Sequence, residues 1–160
     1  MRIVAQRVKE ASVSVDGRLV ASINTGIMAL VAFGQEDGPE FRSSPAFTGM
    51  ARKLVGLRIF PGTGENANKF HLSLDEIGGQ ILLVPQFTLY ADCHKGRRPS
   101  FTDAGDPAWA KDMFTDFVQM VDETCAVSVS SGIFGADMDV RLCNWGPVTI
   151  SLDSANLFSR

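Results

Sequence analysis

The dipeptide Asp16-Gly17 constrains the fold of this chain more than any other local feature. It separates two stretches, residues 1–15 and 18–23, in which apolar and polar residues nearly alternate. Asp-Gly between such stretches is typical of a two-residue β-hairpin loop. Residues 27–33 then form a continuous apolar run, which predicts a strand buried on both faces. The first third of the chain is therefore predicted to consist of antiparallel strands at residues 1–8, 11–15, 18–23 and 27–33.

Two helices are predicted from capping residues and apolar stripes. Ser44 is a good N-cap and Pro45 suits the first helical position, where no amide donor is needed. Apolar residues then recur at helical spacing from residue 47 to residue 55. Asp106-Pro107 repeats the same start signal before a second apolar stripe that extends to residue 121. Both segments should pack one face against the sheet.

The remaining strands lie between and after the two helices, and residues 80–90 carry the strongest pattern among them. They are predicted at residues 57–60, 80–90, 125–130, 137–143 and 147–152, with loops at residues 61–69 and 92–105. No linker, repeat or low-complexity tract divides the chain. We therefore expect a single α+β domain over residues 1–160, with a mostly antiparallel sheet and two packed helices.

Composition excludes several classes of protein. A net charge of −3 argues against binding nucleic acid through bulk charge. No apolar run approaches the roughly 20 residues that span a bilayer, and no secretory signal is present, so a cytoplasmic protein without membrane contact is expected. Three widely spaced cysteines and two histidines leave little basis for a disulfide framework, a zinc site or a Ser-His-Asp triad. We expect no metal and no cofactor.

The segment VPQFTLY, residues 84–90, is the first candidate for chemistry. A proline within a strand cannot donate to the ladder, so Pro85 implies an edge, a bulge or a strand end. In an extended segment Gln86 and Thr88 would share one face while Phe87 would lie on the other. One interpretation is a solvated strand end. The other is a bulged strand end that directs backbone N–H groups and a hydroxyl into a pocket.

Two further segments carry open alternatives. Gly146-Pro147, within NWGPVT, is either a tight turn between two strands or a rigid loop tip that offers carbonyl groups to a ligand. The run KGRRPSF, residues 95–101, is either a solvated basic loop or a site for a phosphate and a stacked base. No GxSxG, P-loop, GxGxxG or HExxH motif occurs. These patterns alone define an α+β domain with a candidate polar pocket and a basic loop.

Six blocks in order resemble the D-aminoacyl-tRNA deacylase family. The blocks are MRIVAQRVKEASVSVDG at residues 1–17, LRIF at 57–60, PQFTLYAD at 85–92, KGRRPSF at 95–101, FGADM at 134–138 and NWGPVT at 144–149. The resemblance implies a barrel-like fold and a homodimeric enzyme. Its expected reaction is hydrolysis of the ester that joins a D-amino acid, or glycine mischarged on tRNA(Ala), to the 3′ end of tRNA.

The resemblance also assigns roles to residues. It implies that Gln86, Phe87 and Thr88 form the catalytic segment, whose backbone helps to hold the substrate and the oxyanion. It implies a cis Gly146–Pro147 peptide that reaches into the pocket of the other subunit, with Arg7 fixing that loop. The residues implied in substrate binding are Pro85, Arg7, Phe134, Met138, Gly146 and Pro147. The residues implied in tRNA binding are Lys95, Arg97 and Arg98.

Two alternatives to the D-specific enzyme remain, because the chain departs from the family pattern. Pro85 stands where a serine is usual, and Trp145 stands where an aspartate is common. A related subgroup that removes L-alanine from a threonine tRNA has PQxxL at the first motif and a trans Gly-Pro peptide. Arg7 and the form NxGPVT favour the D-specific enzyme. The other alternative is a nucleic-acid-binding module without turnover, which the basic loop suggests together with the departures at Pro85 and Trp145.

Overall fold

The fold is built around one long strand that has partners on both sides. We describe it from a computed structural model, which describes residues 1–158. The strands are β1 (Arg2–Val15), β2 (Arg18–Ile23), β3 (Gly26–Ala32), β4 (Phe60–Pro61), β5 (Phe70–Leu72), β6 (Gln80–Pro85), β7 (Ser128–Ser131) and β8 (Asp139–Asp153). The helices are α1 (Pro45–Val55), α2 (Pro107–Thr124) and α3 (Ser154–Phe158), with 3₁₀ helices at Pro39–Ser43, Gly64–Asn66 and Phe87–Tyr90.

The predicted hairpin joins β1 to β2. Asp16 and Gly17 have φ angles of 49° and 73°, so both lie in the left-handed region that a tight primed turn requires. Along one side β1 pairs with β8, from Arg2 opposite Asp153 to Ser14 opposite Asp139. Along the other side it pairs first with β3 and then with β2, always antiparallel. The two predicted strands at residues 1–8 and 11–15 are therefore one continuous strand.

The sheet order is β2-β1-β3-β6-β7, with β8 on the outer side of β1. The β3–β6 and β6–β7 pairs are parallel, which the sequence patterns did not indicate. Because β2 curves round to approach β6 and β7, the sheet is nearly closed. A first apolar cluster lies inside this curve and includes Val8, Met28 and Leu82. The mostly antiparallel, barrel-like α+β fold is confirmed.

The two predicted helices cover the outer face of the sheet. Ser44 Oγ accepts a hydrogen bond from the Phe47 amide at 3.2 Å and so caps α1. Phe47 and Phe117 meet between α1 and α2 with ring centroids 5.4 Å apart, in a second apolar cluster. Full burial of a phenylalanine contributes about 1.5–3 kcal/mol, so this contact anchors both helices. None of the helices within residues 1–158 has the length and apolar character to cross a membrane.

Several predicted boundaries were wrong. Of residues 57–60 only Phe60 is in a strand, and the strand predicted at residues 80–90 ends at Pro85 because proline has no N–H for the ladder. The strand predicted at residues 125–130 is shifted to Ser128–Ser131. The last two predicted strands are one strand, β8, which runs through Gly146-Pro147. Helix α3 was not predicted.

Candidate active site

A cleft of about 920 Å³ lies at the carboxyl ends of β3 and β6. These two strands are parallel neighbours, and Val31 lies opposite Pro85 at their ends. The start of α2 and the segment 134–138 form the other walls. Carboxyl ends of parallel strands are a common place for ligand binding in sheets covered by helices. The cleft is therefore the candidate site that the topology favours.

The backbone changes direction directly after Pro85, at the floor of the cleft. The Gln86 amide donates to the carbonyl of Val31 at 2.8 Å, which fixes the end of β6 against β3. The chain then forms the 3₁₀ helix Phe87–Tyr90, so the extended segment assumed for residues 86–90 was wrong. Gln86 Nε2 donates to Thr88 Oγ1 at 2.6 Å, which joins the two side chains directly. This strand end is therefore a tight turn rather than an extended edge.

Two backbone amides of this turn have no acceptor within the described chain. The first N–H groups of any helix lack an intrahelical partner. For Phe87 and Thr88, residues 1–158 supply none from elsewhere either. Phe87 lines the cleft, and Thr88 follows it in the same turn. Adjacent free amides at a concave surface can stabilise an oxyanion that forms there.

The Thr88 hydroxyl lacks the partner that a nucleophile needs. The Thr88 hydroxyl oxygen accepts a hydrogen bond from the side-chain nitrogen Nε2 of Gln86, and Thr88 is exposed. A side-chain amide donor does not remove a proton from a hydroxyl, so it cannot activate the oxygen. The backbone amide of Thr88 is therefore a better candidate for a catalytic group than its hydroxyl.

The apolar wall of the cleft combines Pro85, Phe134 and Met138. Gly132 lies against Pro85 and Met138, and its amide donates to the carbonyl of Leu83 at 2.8 Å. A Cβ atom at Gly132 would lie 2.8 Å from Met138 Sδ, so the glycine lets the wall close. The Phe134 ring packs against that of Phe114 with centroids 6.5 Å apart. This wall of the cleft is therefore apolar and packs on α2 through the Phe134–Phe114 contact.

Two exposed aromatic rings stand at the mouth of the cleft. Phe87 is 55% exposed and Phe101 is 38% exposed, and their ring centroids are 5.1 Å apart. The basic loop begins beside them, because Asp92 and Ser100 exchange two backbone hydrogen bonds at 2.8 and 2.9 Å. The cationic side chains of this loop are all exposed and lie outside the cleft lining: Lys95, Arg97 and Arg98.

The Gly146–Pro147 pair protrudes from β8 as a bulge. Asn144 lies opposite Val8 and Thr149 lies opposite Gln6, so four residues of β8 face one residue of β1. The peptide bond is cis, as the resemblance led us to expect for a D-specific enzyme. Gly146 has a φ of 135°, and both residues are exposed. Neither the simple turn nor the loop tip describes this feature fully, since the strand continues on both sides of the bulge.

Arg7 holds the bulge from beneath. Its side chain is almost fully buried, and Nε donates to the carbonyl of Trp145 at 2.9 Å. Nη1 donates to the carbonyl of Ile59. The guanidinium also stacks on the Trp145 ring, 4.4 Å from its centroid, and burial lowers the pKa of Arg7. A Cβ atom at Gly146 would lie 2.8 Å from Val148 Cγ2 and 3.0 Å from Arg7 Nη2, so a larger residue there would displace these side chains.

The structure brings the predicted site residues together in three groups. Pro85, Gln86, Phe87, Phe134 and Met138 line the cleft, and Thr88 joins them through Gln86. The second group contains Arg7, Gly146 and Pro147, none of which lines the cleft. The third group is the basic loop. Within residues 1–158 no cluster of His, Cys, Asp and Glu suits a metal ion.

Sequence reasoning missed part of the cleft and the role of Trp145. Gln35 and Trp109 line the cleft, but neither belongs to a motif that the patterns single out. Trp145 is stacked by Arg7 and has the Lys9 ammonium 3.4 Å from its ring centroid. This contact joins β1 to the distant strand β8, so no local pattern in the sequence signals it.

Comparisons with known proteins identify the family. The model of the D-Tyr-tRNA(Tyr) deacylase family matches residues 4–153. A D-aminoacyl-tRNA deacylase of Desulfovibrio desulfuricans is 77% identical over 158 residues, which cover 99% of each chain. One of Solidesulfovibrio magneticus is 54% identical over 98% of each chain. The chain therefore belongs to the D-Tyr-tRNA(Tyr) deacylase family, as the motifs indicated.

Solved structures share the fold of this chain. The c-Myc DNA Unwinding Element Binding Protein superposes with a TM-score of 0.84 at 34% identity, and the match covers 96% of this chain and 98% of that one. A structure described as a probable eukaryotic D-amino acid tRNA deacylase gives a TM-score of 0.77 at 21% identity, over 94% and 97% of the two chains. At that identity the second match supports the fold alone.

Proposed function

We propose that this chain hydrolyses the ester between a D-amino acid and the 3′ end of tRNA. The observation that carries the proposal is the cleft with two free backbone amides, at Phe87 and Thr88, in a chain of this family. Because the proposed substrate is aminoacyl-tRNA, we expect the enzyme to work in the cytoplasm. We also expect it to act as a single domain and to need no metal or cofactor.

The proposed chemistry is acyl transfer to water. The ester carbonyl points toward the amides of Phe87 and Thr88, and the attacking oxygen comes from water, whose proton can pass through the neighbouring 2′-hydroxyl of the ribose to the leaving ribose oxygen. The amides hold the oxyanion of the tetrahedral intermediate, where one such donor contributes about 2.7–4 kcal/mol. The bond to the ribose oxygen then breaks, and that oxygen takes a proton. An aminoacyl ester is already activated, so no protein base is required.

We propose that chirality is judged by a second copy of the chain. The Gly146–Pro147 bulge is exposed and outside the cleft of its own chain, yet Arg7 holds it firmly. In a homodimer each bulge would enter the cleft of the partner, where its carbonyl groups would crowd an L side chain. Because main-chain atoms would reject the L side chain, the site would not distinguish one D side chain from another. Glycine has no side chain to reject, so glycine mischarged on tRNA(Ala) is also a proposed substrate.

Contacts with the tRNA itself would be local. The exposed rings of Phe87 and Phe101 offer a face on which the terminal base can stack. Lys95, Arg97 and Arg98 follow in the adjacent loop and can meet backbone phosphates. A net charge of −3 is compatible with this arrangement because only the acceptor end needs to approach.

The direct test measures release of tyrosine from D-Tyr-tRNA and L-Tyr-tRNA by the pure protein. We expect loss of the D-ester and survival of the L-ester. The D. desulfuricans relative is the positive control. An intact D-ester at concentrations where that relative clears it would contradict the proposal. Preferential cleavage of L-Ala-tRNA(Thr), which Pro85 motivates, would favour the editing alternative. Tight tRNA binding without cleavage would favour the non-catalytic one.

A further inference from the structure

Tyr90 ends the 3₁₀ helix of the cleft and is enclosed by distant parts of the chain. A Cβ atom at Gly34 would lie 2.4 Å from Tyr90 Cε1, so the ring rests directly on the backbone of residue 34. The guanidinium carbon of Arg2 lies over the face of the Tyr90 ring, 4.3 Å from its centroid, in a cation–π contact. The ring is therefore held between the start of β1 and the loop after β3.

Arg2 contacts the same helix a second time. Its Nη1 donates to the carbonyl of Leu89 at 3.0 Å, and its Nε donates to Asp153 Oδ2 at 3.2 Å. One side chain thus connects the beginning of β1, the end of β8 and the C-terminal half of the 3₁₀ helix. Arg2 lies outside the cleft lining, so any effect on the reaction must pass through the helix.

Asp37 fixes the surface on which Tyr90 rests. Its Oδ2 accepts from the Gly34 amide at 2.7 Å, and its Oδ1 accepts from the Met1 amino group at 2.7 Å. The carboxylate side chain is only 10% exposed. Asp37 therefore ties the loop that contains Gly34 and the cleft residue Gln35 to the amino end of the chain.

These contacts bear on the two free amides. At its N-terminal end the 3₁₀ helix is attached through the Gln86 amide and the Val31 carbonyl. At its C-terminal end Arg2 holds the Leu89 carbonyl and the Tyr90 ring. A helix of four residues has little internal stability, so the directions of its first amides depend on both attachments.

We propose that Arg2 is a positioning residue, which holds the 3₁₀ helix through Leu89 and Tyr90 so that the amides of Phe87 and Thr88 stay directed at the reacting carbonyl. The proposal rests on the proposed function for its catalytic consequence. The attachment of the helix by Arg2 stands on the geometry alone. The guanidinium touches no substrate, so its loss should slow the chemical step and leave substrate binding nearly unchanged.

The kinetic test compares Arg2→Ala, Arg2→Met and Arg2→Lys in hydrolysis of D-Tyr-tRNA. Misplacement of a catalytic group by 1 Å costs about 100-fold. We expect kcat to fall about 10- to 100-fold for Ala and Met with KM within about twofold, and partial rescue by Lys. Asp153→Asn is the matched control, because it removes the ion pair of Arg2 but leaves both helix contacts. Its kcat should stay within about twofold of the unaltered protein.

A second measurement is independent of activity. Amide hydrogen exchange at Gln86, Leu89 and Ala91, whose amides donate hydrogen bonds, should accelerate in the Arg2→Ala and Arg2→Met proteins, while α1 and α2 stay protected. Arg42→Ala, which breaks the surface pair with Asp116, should leave residues 86–91 unchanged. Unaltered exchange there, a rise in KM at constant kcat, or equal loss of protection everywhere would overturn the proposal. If the unaltered protein cleaves no ester, the proposed function fails and exchange alone decides whether Arg2 anchors the helix.

Discussion

The cleft and the Gly146–Pro147 bulge are both places where a proline interrupts regular β-structure, but they differ in shape and support. At Pro85 the strand ends, and the chain forms a 3₁₀ helix beside the cleft, whose first two amides have no acceptor within the described residues. At Pro147 the strand continues, and the backbone forms a bulge that is exposed to solvent. Under the proposed function, one chain carries a concave half and a convex half of a site, and the two halves do not meet within that chain.

The support of the two halves differs as well. The cleft is held by a parallel strand pair, by the Gln86–Val31 hydrogen bond and by packing around Gly132. The bulge depends largely on one buried side chain, Arg7, together with the hydrogen bond from the Val148 amide to Asn144 Oδ1 at 3.0 Å. Variants of the bulge should therefore change selectivity in ways that variants of the cleft do not.

Arg7→Ala should have the largest effect. It leaves the carbonyl groups of Trp145 and Ile59 without their charged donor in a buried place, which costs about 3 kcal/mol of unfolding free energy. It also frees the bulge, so the preference for D- over L-Tyr-tRNA should fall. Urea unfolding and the ratio of the two hydrolysis rates measure these effects.

Arg7→Lys is the matched variant for that test. It keeps a charge but not the two-carbonyl geometry, so it should restore part of the stability and little of the selectivity. Retention of full D-preference in both variants would break the comparison, because the bulge would then not depend on Arg7.

Gly146→Ala should act on selectivity more than on stability. Its φ of 135° is unfavourable for alanine, and the new Cβ would lie 2.8 Å from Val148 Cγ2. Displacement of the bulge should lower the D/L ratio about tenfold, which corresponds to about 1.4 kcal/mol. Gly64→Ala is the control, since Gly64 also has a positive φ but open space around it. Equal D/L ratios in both variants would mean that the bulge does not judge chirality.

These two regions also show how far the sequence reached. Asp16-Gly17, Ser44 and Asp106 predicted a hairpin and two helix starts correctly, because each signal acts within a few residues. The pairing of Val31 with Pro85, which creates the cleft, is non-local and has no periodic signal. The 3₁₀ helix after Pro85 is too short to show a period. The roles of Arg7 and Gly146 came from the resemblance to a family, and patterns alone left that segment open.

Thr88→Ala tests whether the cleft acts through its backbone amides or through the Thr88 hydroxyl. The substitution removes a hydroxyl that accepts from Gln86 but keeps the backbone amide. We expect kcat to stay within about tenfold and the D/L ratio to stay unchanged, because the oxyanion donors are main-chain groups. Single-turnover hydrolysis of D-Tyr-tRNA provides the measurement. Abolished hydrolysis, with an acyl-enzyme trapped in the unaltered protein, would instead make Thr88 a nucleophile.

The smallest effect concerns Tyr90, the single tyrosine of the chain, which reports on the support of the cleft. Burial raises its pKa above the ordinary value, the charges of Asp37 and Asp153 add to this shift, and Arg2 opposes it. The Met1 amino group also faces this cluster through its contact with Asp37. The native state therefore keeps a proton that the unfolded chain releases from about pH 10 upward. Because the native state then binds more protons, the free energy of unfolding falls as pH rises through this range.

Absorbance of tyrosinate measures the titration directly, with Tyr90→Phe as the blank. Asp37→Asn should lower the pKa of Tyr90, since it removes a negative charge that disfavours the tyrosinate. In the Tyr90→Phe protein the alkaline loss of stability should be smaller. A tyrosine that titrates at its ordinary value in the folded protein would show that the ring is not enclosed. The cleft would then be no better supported than the bulge, and the contrast between the two halves would fail.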